Sequence, residues 1–453
     1  MKHTIIITAF CLLYLVGSGA LSPLIAKENY EGSKIALIKF EGLKYTSPDV
    51  VRRELHHRED MTYSPARWEE EKNRLESLDI FAVVTLEVSK KEESLTLTYR
   101  FSELPPLIPF ISMKITDQNG FIAGPALAFL NLFGEGIRLE FYARATMLPD
   151  FFQARELLSV LSSRWAGPLP LEYDIWFIFN DLYNPLKNFN EQSITAEADF
   201  FYRFNNRFKV LFTTGLFTVW QDEGNQTFTS GDFSAPMFIG SDSTDIVPKL
   251  GAGAVFDSRN RRLNPNYGLY SEFRLTGFGK VMGGEGNYLE VLADLRGYYT
   301  FFERHIFHIA TLGQYRPGTM GANQYYHVGG PNTLRGYEPD HDLFGQHEFL
   351  GTFEYRFEVI KKTPFSLFGF HLYSGLQVVL GADLALLWNK EDTPGDPMVL
   401  AGYFTGLHIL FPGFDRLRLE FGIRKGDVTE KRVAFAFSVG LYEKAIVQRW
   451  RIR

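Results

Sequence analysis

At 453 residues, with 22% charged and 45% hydrophobic side chains, the chain is long enough for two domains or one large barrel and too apolar for wholesale disorder. A net charge of −6 without a long basic run excludes the electrostatic footprint of a nucleic-acid binder. Its 42 Phe, 22 Tyr and 40 Gly point toward β-structure and toward aromatic girdles at a membrane interface.

The opening MKHTIIITAFCLLYLVGSGA carries a lysine, an apolar run from Ile5 to Val16, and the small residues Ser18, Gly19 and Ala20. This pattern predicts a secretory signal peptide over residues 1–20, followed by a linker over 21–32. The apolar core is short of the ~20 residues a helix needs to span a bilayer. Cys11, the only cysteine, is preceded by Phe10 and followed by further apolar residues, which is not a lipid-attachment site. The exported chain therefore relies on no disulfide. No later stretch approaches a continuous apolar span, which leaves a secreted soluble protein or a transmembrane β-barrel.

Residues 33–104 predict a compact α+β domain. KIALIKFEGL alternates into a turn at Gly42. SPDVVRRELHHR and SPARWEEEKNRLESL each open with Ser-Pro, a helix-starting pair with a capping hydroxyl, and carry apolar residues at three-to-four spacing. IFAVVTLEVSK and SLTLTYRFSE follow as strands, completing the order β-α-α-β-β. Glu69, Glu70 and Glu71 read as a solvated helix face. ELPPLIP then forms a stiff linker.

From about residue 107 helical periodicity gives way to period-two alternation. In GIRLEFYARA, Ile137, Leu139, Phe141 and Ala143 share one face, and Arg138, Glu140, Tyr142 and Arg144 the other. GTFEYRFEV and RLRLEFGIR alternate in the same way. Export, strands near the ~10 residues a tilted membrane strand needs, and the length of the all-β region favour a transmembrane antiparallel barrel of about 16 strands over residues 105–445, with charges lining the lumen and a tail over 446–453. A soluble sandwich, which turns its charged face to water, is the competing reading.

The order of motifs along the chain resembles the BamA/TamA outer-membrane assembly family, the POTRA-plus-barrel proteins also called bacterial surface antigens. IALIKFEGLKYTSPDVVRREL and RLESLDIFAVVTLEV are similar to the strand, turn and helices of a POTRA domain, here a single one. NLFGEG, with Asn131, Gly134 and Gly136, resembles the family's early hairpin. FDSRNRRLNPNYG, with Asp257, Arg259, Pro265 and Gly268, resembles its strand-turn motif. LRGY, within GGPNTLRGYEPD, resembles the signature of the sixth extracellular loop.

The resemblance implies that Arg335, flanked by Gly336 and Tyr337, reaches into the lumen and pairs with an aspartate on the inner wall. The matching strand, LQVVLGADLALLW, nominates Asp383, with Glu354 as a second partner. An arginine offers a planar fork of donors to a carboxylate, and a partly desolvated lumen strengthens the pair. Glycines at 329, 330 and 336 let the loop turn tightly. One departure is Ala385, which stands where the family's inner-wall motif often has glycine. Another is the ending EKAIVQRWRIR, which displaces the usual aromatic terminus.

The function this resemblance implies is assembly or translocation of unfolded polypeptides at a bacterial outer membrane, with the POTRA domain in the periplasm capturing clients by strand addition at an edge such as FAVVTLEV. The lipid bilayer is the second partner; no cofactor is implied. The small residues Ala434, Ala436, Ser438 and Gly440 of the last strand point to a weak seam against the first strand. Enzymatic readings lack support: there is no Gly-x-Ser-x-Gly elbow and no His-Glu-x-x-His helix. PDHDLFGQHE collects Asp340, His341, Asp342, His347 and Glu348, which read as a solvated loop and not a metal site. The alternatives are a translocator of the two-partner type and a passive channel.

Overall fold

The computed structural model describes residues 30–440, apart from 92–93, 117–119, 149–154, 185–188, 222–226, 262–263, 331–332, 338–341, 368, 390–396, 413 and 426–432. The signal-peptide reading, most of the 21–32 linker and the 446–453 tail lie outside these residues.

The first domain has the expected order: β1 (Lys34–Glu41), α1 (Pro48–Glu54), α2 (Pro65–Glu76), β2 (Phe81–Lys91) and β3 (Ser94–Glu103). The sheet order is β1-β3-β2, with β1 parallel and β2 antiparallel to the central β3. Two edges therefore remain, one of them β2. The Ser47 hydroxyl accepts from Asp49 N at 3.4 Å, and Pro48 sits in the first turn of α1. Ser64, by contrast, makes no side-chain cap on α2, so Pro65 alone supplies the expected start signal there. Ile35, Val51, Leu75, Leu97 and Tyr99 close the core between helices and sheet.

Glu71 corrects the solvated-face reading: Glu69 and Glu70 are exposed, but Glu71 is fully buried. Its position four residues before Leu75 and three after Trp68 puts it on the inward face of α2. There its carboxylate accepts from the backbone N of His56 and of His57 at 2.5 Å each, from His57 Nδ1 at 2.8 Å and from the Tyr99 hydroxyl at 2.7 Å. The two amides belong to the segment just after α1, outside the helical hydrogen-bond pattern. Burial pushes the carboxyl upward, but the bonds from His57 and Tyr99 outweigh it and hold Glu71 below the usual carboxylate range. A depressed folded value stabilises the domain above the unfolded value of about 4.3, and that contribution is lost as pH falls through the lower folded value. Glu71→Gln is expected to cost about 1–3 kcal/mol at neutral pH and to flatten the acid limb of unfolding. Near-UV circular dichroism of the full chain against pH checks this; an unchanged acid limb would exclude Glu71 as the titrating group.

Among the described residues sixteen long antiparallel strands form the barrel wall, from Leu107–Thr116 to Val433–Gly440. The sign that alternation leaves open is settled by burial. Glu140 is 0% exposed and Phe141 43%; Glu354 is 0% exposed and Phe353 48%. The apolar face thus looks outward and the charged face lines the interior, the reverse of a soluble sandwich. The interior charges are paired: Lys249 with Glu197, Arg274 with Glu272 and Asp199, Arg296 with Asp294.

The sheet comes round on itself where the last strand meets the first. The last strand pairs with its predecessor from Arg416–Gly440 to Ile423–Val433, and the first with its successor from Leu107–Phe129 to Thr116–Gly120. Among the described residues the first and last strands pair at Ser438–Lys114.

The first domain sits under one mouth of the barrel. Asp79, at the end of α2, accepts from Arg138 Nη1 at 3.0 Å and from the Tyr373 hydroxyl at 2.7 Å, and Trp165 Nε1 donates to Glu54 at 2.8 Å. Over the opposite mouth, the hairpin of Thr227–Ser230 and Phe233–Pro236 packs Phe228 and Phe233 on Phe344, with ring centroids 4.8 and 5.0 Å apart.

Candidate functional site

The loop after the strand His305–Tyr315 dips back toward the lumen before the strand His347–Leu367 begins. Gly330 N donates to Tyr337 O at 2.7 Å, closing a tight fold whose glycines 329, 330 and 336 all have positive φ. The Thr333 hydroxyl bridges back to Gly329, accepting from its N at 2.8 Å and donating to its O at 2.7 Å.

This fold delivers Arg335 to the inner wall, where only 2% of it is exposed. Nε and Nη2 reach the two oxygens of Asp383 at 2.7 Å each, a bidentate fork, and the Arg335 backbone N adds a third bond to Asp383 at 3.0 Å. Nη1 donates to Glu420 at 3.1 Å and to Glu354 at 3.3 Å. The guanidinium carbon lies 3.2 Å from the centroid of the Phe404 ring, which shields its open face. Thr352 Oγ1 holds Asp383 Oδ1 at 2.9 Å and fixes the acceptor. The Tyr337 hydroxyl donates to Lys425 O at 2.9 Å and pins the next turn of the loop.

The surrounding charges balance as a network. Arg356 also binds Glu354, Arg418 lies 3.5 Å from Glu420, and His408 Nε2 is 2.9 Å from Glu420. Glu354, His408 and Glu420 come close enough, within 4.8 Å of one another, to resemble a metal-ligand set. Both carboxylates are already engaged by guanidinium groups, so a cation there would face Arg335 and Arg356 at short range. The arrangement holds a loop by charge, and no side chain in it is placed as a nucleophile over a reacting centre.

The loop lies flat on the wall because two wall residues have no side chain. A Cβ at Gly402 would meet Arg335 O at 2.1 Å, and one at Gly422 would meet Gly336 N at 2.1 Å. Sequence reasoning passed over both, along with Thr352, Phe404, His408 and Glu420; the available signal was glycine inside otherwise regular strands, which marks close backbone approach. Gly402→Val is therefore expected to lift the loop off the wall at a cost of about 1–3 kcal/mol. Limited proteolysis of the folded protein should cut the Arg335 loop faster than in wild type; equal protection would show that the loop tolerates the displacement.

The other two motif groups sit at the opposite mouth. Gly136 N donates to Asn131 Oδ1 at 2.7 Å, Asn131 Nδ2 donates to Thr46 Oγ1 at 2.9 Å, and Gly134 O accepts from Ser47 N at 2.9 Å. The early hairpin is thus a docking point for the first domain. Arg259 Nε and Nη2 grip Asp257 at 2.9 and 3.0 Å, Pro265 is buried, and a Cβ on Gly268, at φ +108°, would meet Ser258 O at 2.3 Å. The solvated-loop reading of PDHDLFGQHE needs correction: His347 and Glu348 are buried at the start of a strand, with His347 Nδ1 accepting from Arg316 N at 2.9 Å. Asp342 accepts from Ser230 Oγ at 2.6 Å, while Asp340 and His341 lie outside the described residues.

Comparison with known families matches the Omp85 superfamily domain over residues 131–442 and the POTRA domain, surface antigen variable number repeat, over residues 33–104. Among solved structures, BamA from Haemophilus ducreyi lacking POTRA domains 1-3 is similar at 15% identity, with 90% of this chain and 84% of that chain covered and a TM-score of 0.54. CdiB from Acinetobacter baumannii follows at 13% identity, 90% and 74% coverage and 0.53. CdiB from Escherichia coli stands at 12%, 94% and 93%, and 0.52. At these identities the likeness is one of fold. Curated protein sequences give no match.

Proposed function

The chain belongs to the Omp85 superfamily and carries one POTRA domain, and from that premise we propose that it assists insertion or translocation of polypeptides at the outer membrane, with the POTRA domain on the periplasmic side. The observation that carries this reading is the seam, where the described residues of the first and last strands meet at Ser438 with Lys114. An extended client segment adds to the free edge of β2, gaining backbone hydrogen bonds without side-chain specificity, and passes to the seam. Arg335 latches its loop to the wall and keeps the lumen shaped while the seam moves.

Translocation of one dedicated partner is the second reading, favoured by the paired charges along the lumen wall, which offer a polar path. A passive channel is opposed by the POTRA domain under one mouth and by the aromatic hairpin over the other. Purified full-length protein in liposomes is expected to accelerate protease-resistant folding of a small test barrel while the liposomes stay tight to ions. Steady ionic conductance without acceleration would overturn the proposal.

A further inference from the structure

A cleft of about 320 Å³ opens where the POTRA domain meets the periplasmic turns of the barrel. At ~30 Å³ per water it holds on the order of ten waters, enough room for a small hydrated group. Seven cationic side chains line it against three carboxylates, an excess that no internal pairing removes. Lys209 binds Glu172 at 2.8 Å and Arg259 binds Asp257. Behind the wall Arg74 takes Glu54 at 3.0 Å and Arg261 takes Glu76 at 3.1 Å.

Three arginines remain. Arg164 has a second claim on Glu54, at 4.0 Å, and donates from Nη1 to Arg74 O at 3.4 Å. Arg207 is exposed on the turn and pairs with no carboxylate among the described residues. Arg203 is the decisive one: it is 9% exposed, its Nη2 donates to Arg164 O at 2.9 Å, its guanidinium lies 4.1 Å from the Trp165 ring, and its Nε has no acceptor. A buried N–H left without a partner costs about 1–3 kcal/mol, and an anion in this cationic cleft that supplied an acceptor would recover that cost.

The same turn carries Tyr202, Phe204 and Phe208 on the outside of the barrel, all exposed and in edge or tilted contact, with ring centroids 5.1 and 6.0 Å apart. Exposed aromatic clusters of this kind mark the membrane–water interface of an outer-membrane barrel.

We propose that this cleft binds a phosphate group between Arg203, Arg164 and Arg207, drawn either from free phosphate or from a phospholipid headgroup at the periplasmic rim. Arginine suits phosphate because its planar fork meets two oxygens at once. A ligand there spans both domains and ties the POTRA domain to the barrel.

The test uses the full chain with Arg207→Gln, which disturbs no internal contact, and with Arg203→Gln together with Arg207→Gln; heat-modifiable gel mobility verifies that each folds. Inorganic phosphate is titrated calorimetrically into protein in uncharged detergent, and native mass spectrometry counts lipid retained after extraction from nanodiscs with and without phosphatidylglycerol. The expected result is phosphate binding that weakens about tenfold or more in the double variant and less in Arg207→Gln. Retained phosphatidylglycerol that the double variant loses assigns the headgroup as source; phosphate binding without retained lipid assigns the free ion. No phosphate binding and no retained lipid would overturn the proposal, as would equal binding in all three proteins. Tighter binding of a poly-glutamate peptide with no response to phosphate would replace it with an acidic polypeptide site.

Discussion

Arg335→Ala is expected to release the lumen loop, lower barrel stability by about 3–5 kcal/mol and abolish acceleration of client folding. The magnitude follows from what the substitution leaves behind: Asp383 loses a bidentate partner, and Glu354 and Glu420 each lose a third-party cation in a fully buried setting. Removing one member of a buried ionic network costs more than the network's net worth, because the remaining charges stay desolvated. Asp383→Asn should be milder, since Arg335 keeps Glu354 and Glu420 and the amide keeps the shape. Arg335→Lys should restore charge but not the fork, and so recover stability only in part. The double variant Arg335→Ala with Asp383→Ala should cost less than the sum of its singles, the signature of direct coupling. Guanidinium unfolding in detergent and proteolysis of the loop read the effect. An Arg335→Ala protein within a few tenths of a kcal/mol of wild type, with its loop equally protected, would refute the latch.

The strand faces were legible because side chains alternate strictly, and Glu140 beside Phe141 appears as such in the sequence. Which face is interior was not legible from alternation, since lumen and solvent both accept charge; export and strand length pointed to charges in the lumen, and burial bears that out. The pairing of Arg335 with Asp383, 48 positions further on, was reachable through motif order. Glu420 was not, because it lies 85 residues from Arg335 and is one of many inward carboxylates. Glu71 shows a signal that charge counting hid: three consecutive glutamates suggest a solvated face, yet only the third falls in register with Trp68 and Leu75. His347 and Glu348 misled for a different reason, since the strand they begin extends into what composition marks as loop.

Cross-linking the seam is expected to stop client insertion outright while leaving the barrel folded. The register gives the pair: Lys114→Cys on the first strand and Ser438→Cys on the last face each other. Directly opposed antiparallel residues lie about 4.5–5.5 Å apart, inside the Cα range a disulfide accepts. Cys11 is the only native cysteine and falls in the segment read as a signal peptide, so a second pairing does not compete. A control bridge between Leu139→Cys and Leu161→Cys, opposed across an ordinary ladder, should leave activity intact. If the oxidised seam variant is inactive and regains activity on reduction while the control stays active throughout, the client leaves through the seam. If the oxidised seam variant works at the wild-type rate, the strands need not part, and the client instead crosses through the lumen, past the Arg335 loop. The latch then becomes the gate, and the reading moves from insertion into the membrane to translocation across it.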